Sequence, residues 1–164
     1  MKNLRDALLL LAVLILQATV ADRIAIAGVR PDLLVAFVVY FSWIRGPVSG
    51  VVAGFSVGLL QDLDAPGPLG LNALAKTIVG FLVAKAGFRV HRSNVGVRFF
   101  FFLFAMLVHD VIYFSVYAAG EFGAFLRQFF FVAIPSALYT TVLVLIILTT
   151  VERFSRTLLL TDEV

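Results

Sequence analysis

The sequence predicts an all-α, polytopic membrane domain of six transmembrane helices, with both termini in the cytoplasm. Three observations carry that prediction. Of 164 residues, 62% are hydrophobic and only 14% charged, against ~45–50% and ~25% for an ordinary soluble domain. The mean hydropathy is +1.05, and the apolar residues fall in six runs rather than one amphipathic pattern. A bilayer core about 30 Å thick takes ~20 helical residues per crossing, so five or six crossings use roughly 100–120 residues. The remainder suffices for short loops and tails, not for a soluble catalytic domain, a nucleotide-binding module or a large ectodomain. Residues 1–164 therefore read as a single integral membrane domain.

The first run, Ala7–Ala21, follows Lys2 and Arg5. Its small residues Ala18-Thr19-Val20-Ala21 also resemble a signal-peptide cleavage site, which would leave five helices; an uncleaved helix is the favoured reading. The next runs are Leu33–Ile44 and Val48–Leu60. Pro31-Asp32 suits a helix start, with proline in the first turn and a carboxylate at the positive dipole end. Arg45 falls in the last turn, Gly46 suits a left-handed cap, and Pro47 can open the following helix. Both helices of this short hairpin come to about 15 residues, or ~22 Å, less than the hydrocarbon thickness. Spanning with a snorkelling Arg45 is preferred to a re-entrant hairpin, because a buried arginine tip is costly. Leu71–Ala84, Phe99–Ala119 and Phe129–Val151 complete the set. Helices are required because an open sheet leaves unpaired edges in lipid.

Orientation follows from the basic residues. With the N-terminus inside, Lys2, Arg5, Arg45, Lys85, Arg89, Arg92, Arg98, Arg153 and Arg156 are cytoplasmic, against Arg23, Arg30 and Arg127 outside. Nine against three satisfies the positive-inside rule. The net charge of +3 is therefore read as topology rather than as a nucleic-acid footprint. The basic stretch from Lys85 to Arg98 can also touch anionic lipid or a cytoplasmic protein.

Small and polar residues stand out against this frame. Gly50, Gly54 and Gly58 recur every four residues, with Ser49 and Ala53 beside them, forming a face where another helix backbone can approach closely. Either helix 2 or 4 of the same chain packs there, or a transmembrane helix of another protein does. Lys76 lies two turns into helix 4, in line with Asn72 and Gly80. Asp62, at the outer end of helix 3, and Asp32 are its candidate partners. An ion pair would pin three helices; the alternative is an outward pocket for an anion or a partner's backbone. Asp110, mid-helix 5, is expected to face protein, bonded to Tyr113, Ser136 or Tyr139. The phenylalanine clusters Phe99–Phe102, with Phe104, and Phe129–Phe131 are read as lipid-facing mass.

Enzyme chemistry finds no support. There is no cysteine, His91 and His109 do not form a zinc-peptidase set, and Asp62 and Asp110 are expected at different depths. No phosphate-binding loop is present. No catalytic residue, metal or cofactor is expected.

The order Pro31-Asp32, Arg45-Gly46-Pro47, Gly50-x-x-x-Gly54-x-x-x-Gly58-Leu59-Leu60-Gln61-Asp62, then Gly67-Pro68-Leu69-Gly70-Leu71-Asn72-Ala73-Leu74-x-Lys76 resembles the bacterial rod shape-determining MreD family, chiefly over residues 31–84. The resemblance implies a non-enzymatic, multi-pass scaffold of the bacterial inner membrane, acting in cell shape and peptidoglycan synthesis. It implies direct binding to MreC, a wider complex with MreB, RodA and a penicillin-binding protein, contact with membrane lipids and no nucleic acid. On it, Gly50, Gly54 and Gly58 become candidates for MreC contact, with Arg45 orienting the cytoplasmic hairpin. The family is also distantly similar to the substrate-capture subunits of energy-coupling-factor vitamin transporters. That similarity carries a second expectation, a small-molecule or lipid-precursor capture protein with a polar cluster at Asp32, Asp62, Asn72, Lys76 and Asp110.

Overall fold

The computed structural model describes residues 2–26, 28–64, 67–87 and 94–161. The basic segment around Arg89 and Arg92, with His91, lies outside the described residues, as does Pro66. The helices are α1 (Lys2–Thr19), α2 (Leu33–Arg45), α3 (Pro47–Asp64), α4 (Leu71–Gly87) and α5 (Val95–Tyr117). A last continuous rod follows, made of α6 (Phe122–Gln128), a π-helical turn (Phe129–Ala133) and α7 (Ile134–Thr161). Among the described residues, two helices are long and apolar enough to cross a membrane by length and composition, Val95–Tyr117 and Phe122–Arg153.

The boundaries follow local chemistry. Helix α2 begins at Leu33, not within its proline turn: Asp32 is the N-cap, its carboxylate accepting from Val35 N at 2.9 Å. It is the shortest of the main rods at 13 residues, about 20 Å. Helix α3 is longer than expected, 18 residues from Pro47, so within the hairpin only α2 is as short as the sequence suggests. Gly46 between them has φ +89° and ψ −179°, a conformation that side chains exclude, rather than the left-handed helical cap expected. Asn94 caps α5, accepting from Gly96 N and Val97 N.

The last rod starts seven residues before the expected Phe129 and contains a widened turn. Pro135 lacks an N–H and its ring crowds the carbonyl one turn back, at Phe131. A π-turn just before the proline absorbs that conflict without breaking the rod.

Successive helices alternate in direction, as cross-contacts show. Asp6 of α1 meets Arg45 at one end, while Gln17 bonds Pro31 and Leu33 at the other. Gly50 of α3 lies against Gly80 of α4, and Gly58 against Ala73. Arg98 of α5 holds Glu152 of α7 through two contacts of 2.7 and 3.1 Å. The start of α1 and the later part of α7 therefore share the end that carries Arg45, Lys85 and Arg98.

The core has two centres. Trp43 of α2 packs on Phe101 and Phe102 of α5, with ring centroids at 4.6 and 6.1 Å, and its Nε1–H donates to Gly87 O at 3.0 Å. Val35, Val39, Val79, Val83 and Met106 continue this cluster. A smaller one joins Leu34, Val38 and Val57 to Leu10, Val13 and Leu14 of α1. The phenylalanine runs are only partly lipid-facing. Phe100, Phe104 and Phe131 are 70–75% exposed, whereas Phe102 is fully buried, because consecutive residues point all around a helix.

Candidate functional site

The glycine ladder is the first site residue set whose surroundings are resolved. A Cβ built on Gly54 would overlap the Lys76 carbonyl, and one on Gly58 would overlap the Ala73 backbone. A Cβ on Gly50 would sit 2.7 Å from both Gly80 O and Ser42 Oγ. The ladder is thus filled by α4 of the same chain, with α2 at its edge. Of the two partners weighed for this face, a helix of the same chain is the one that fills it, and α4 leaves no room there for a second backbone. Arg45 is likewise engaged within the chain, its guanidinium paired with Asp6 of α1. Sequence reading did not single out Asp6.

Close approach of α3 and α4 has a chemical consequence one turn further on. Asp62 is delivered to the start of α4, where four backbone N–H groups have no intrahelical acceptor. Its two carboxylate oxygens accept from Gly70 N, Asn72 N and Ala73 N, and from Asn72 Nδ2, each at 3.0 Å. Asp62 therefore caps a neighbouring helix and is not the partner of Lys76.

Lys76 is fully buried, and acceptors surround its ammonium. Asn72 Oδ1 lies at 3.1 Å, His109 Nε2 at 3.4 Å and Asp32 Oδ2 at 3.5 Å. His109 Nδ1 in turn lies 3.0 Å from Asp110 Oδ1. An ammonium has only donors, so His109 Nε2 is the acceptor and the ring proton sits on Nδ1, facing Asp110. The cluster is thus a line, Asp32–Lys76–His109–Asp110, across α2, α4 and α5. Sequence reading grouped Asp32, Asp62, Asn72, Lys76 and Asp110 but missed His109. Its only local signal was a His-Asp pair in mid-helix. Asp110 does not bond Ser136 or Tyr139 as expected. Those hydroxyls donate to Arg30 O at 2.7 Å and Ile24 O at 3.0 Å. With Thr140, which accepts from Asp32 N at 3.1 Å, they stitch the α1–α2 connection onto α7 and hold Asp32 in place.

This line of charge ends in a half-open cavity of about 610 Å³ at the end of the bundle where α2 and α4 start. Every helix supplies lining residues, among them Gln17, Asp32, Asn72, His109, Asp110 and Tyr113. The volume lies within the ~300–1,000 Å³ typical of small-molecule sites. His109, Tyr113 and Tyr117 stack along α5, with centroid spacings of 6.1 and 5.8 Å, from the buried network toward the end of the helix. Among the described residues, no three histidines, cysteines or carboxylates converge as metal ligands.

No curated protein and no solved structure compared with this chain gives a match. A family model described as "rod shape-determining protein MreD" matches residues 4–158. That span takes in all of α2–α6 and most of α1 and α7. The cavity, the ladder and the charged line all lie inside it, and the chain belongs to the rod shape-determining MreD family.

Proposed function

We propose that the chain is a multi-pass scaffold of the bacterial inner membrane, which holds MreC and couples MreB filaments to peptidoglycan synthesis by RodA and its penicillin-binding partner. The observation that carries this reading is the family match over residues 4–158. Six alternating rods, with the start of α1 and the end of α7 on the side richer in arginine and lysine, support an N-in, C-in topology. With the glycine ladder closed inside the chain, MreC is held by an outer surface. The test is depletion in the native bacterium with rescue by a tagged copy. Rods are expected to return, and MreC to co-purify with the tagged protein in mild detergent. A correctly inserted copy that neither restores shape nor retains MreC overturns the reading.

One observation favours a second function, capture of a small molecule from the outer side. It is the half-open polar cavity itself, backed by a buried ionic line. A scaffold needs no such cavity, and open polar space inside an apolar bundle sacrifices packing. Thermal stabilisation of the purified protein by a small ligand is the expected result; none from a broad metabolite panel would count against capture.

A further inference from the structure

Charge balance around the cavity points to the kind of ligand it takes. Arg30 on its wall is engaged by Asp22 at 2.7 Å, and Asp32 is balanced from behind by Lys76. Lys76 is itself fully buried with three acceptors around it, so it offers the cavity no free donor. Asp64 and Asp110 also line the cavity, with no Lys or Arg paired to either among the described residues. His109 Nδ1 lies 3.0 Å from Asp110 Oδ1, and the other oxygen of Asp110 is left with no partner among the described residues. A second acceptor also waits there: Gln61 Oε1 is buried without a hydrogen-bond donor, on a residue that lines the same space. Buried acceptors are normally satisfied, so an orphan beside a cavity marks where a donor belongs. Tyr113 and Tyr117 add aromatic faces to the wall, which attract cations and repel anions.

We propose that the cavity binds a small organic cation, a molecule carrying a primary ammonium or a guanidinium. Asp110 is its counter-ion, Gln61 Oε1 accepts a further N–H, and the Tyr113–Tyr117 pair flanks the charge. This inference rests on the capture reading and adds the sign of the ligand. It reverses the anion expected from Lys76 alone, because the lysine charge is spent on Asp32 and its neighbours.

The test measures the melting temperature and binding isotherm of the detergent-solubilised full chain with four cations: methylammonium, guanidinium, agmatine and spermidine. Succinate and glycerol serve as anionic and neutral probes. At least one cation is expected to bind and raise the melting temperature, and the other two are not. Asp110→Asn keeps an acceptor for His109, so the empty variant should melt near the parent while binding falls at least tenfold. Tyr117→Ala, on a partly exposed ring, should weaken binding about threefold and stands in if Asp110→Asn fails to fold. Glu152→Gln, at the opposite end of the bundle, should bind like the parent. Binding of succinate or glycerol in preference to all four cations overturns the sign assignment and leaves capture standing. No binding by any of the six overturns the cation assignment, and capture falls with it only if the broad metabolite panel also gives no stabilisation. Cation binding unchanged in Asp110→Asn and Tyr117→Ala overturns the placement.

Discussion

The α3–α4 seam and the α5–α7 seam lie in one bundle but are held together in different ways. Between α3 and α4 the contact is backbone on backbone: Gly50, Gly54 and Gly58 leave no side chain between the helices, and Asp62 bonds directly to peptide N–H groups. Between α5 and α7 side chains do the packing, with Met106 against Thr141 and Arg98 against Glu152. Apolar residues gain little from meeting each other in lipid, which is as oily as they are. Association there depends on close dispersion contact and on polar groups that lipid cannot satisfy. The α3–α4 seam uses both and tolerates almost no change in shape. The α5–α7 seam can re-form around altered side chains.

Substitutions that separate these two modes should differ in size. The largest effect is expected from Gly54→Leu, whose first side-chain carbon already overlaps the Lys76 backbone. Overpacking typically costs ~1–3 kcal/mol where side chains can shift. Here only backbone is available to move, so a loss above about 3 kcal/mol is expected, read as failure to fold or extract intact from membranes. A Gly54→Leu protein that melts like the parent would break the contrast.

Lys76→Met comes next. It strands Asp32 and removes the donor held by Asn72 and His109. Breaking a fully buried pair from one side costs about 3–5 kcal/mol, and with the Asp32 side chain 29% exposed to the cavity the lower end, about 3 kcal/mol, is expected. Adding Asp32→Asn, which can still cap Val35, should recover most of the loss in a double-mutant cycle of unfolding free energies in bicelles. Simple additivity of the two changes would show that the ion pair does not join α2 to α4. Asp62→Asn should cost less, about 2 kcal/mol, since one amide oxygen can still serve a helix start that now receives a full charge. Faster amide exchange at Gly70–Ala73 than in the parent is the expected signature.

Legibility in the sequence follows the same divide. Helix existence, the alternation of the rods and the glycine spacing are local patterns, and the sequence carries them. So is the polar line within α4, where Asn72 and Lys76 are one turn apart and do bond. What it does not carry is which distant group completes a local pattern. Asp62 and Asp32 are equivalent acids until the α3–α4 connection folds one onto the helix start. His109 joins Lys76 across 33 positions of chain with no motif to announce it. The Gly50–Gly58 face was legible as a close-packing surface, but spacing is blind to whether its partner lies in the same chain. The π-turn was missed because a proline near the start of an expected helix looks harmless; the rod in fact begins 13 residues earlier, at Phe122.

The smallest effect is expected at the other seam, from Met106→Leu. Met106 is buried among Phe102, Ala105 and Ala137, and its sulfur receives the Thr141 hydroxyl at 3.5 Å. Leucine has nearly the same volume, and such swaps usually cost under ~1.5 kcal/mol. The sulfur is a weak acceptor, so the lost hydrogen bond adds little. The melting temperature should move by no more than a few degrees, and MreC co-purification, on the reading above, should not change. If Met106→Leu instead proves as damaging as Gly54→Leu, the α5–α7 seam is as unforgiving of shape as the glycine ladder. Side-chain size would then govern the whole bundle rather than the half in which backbones touch.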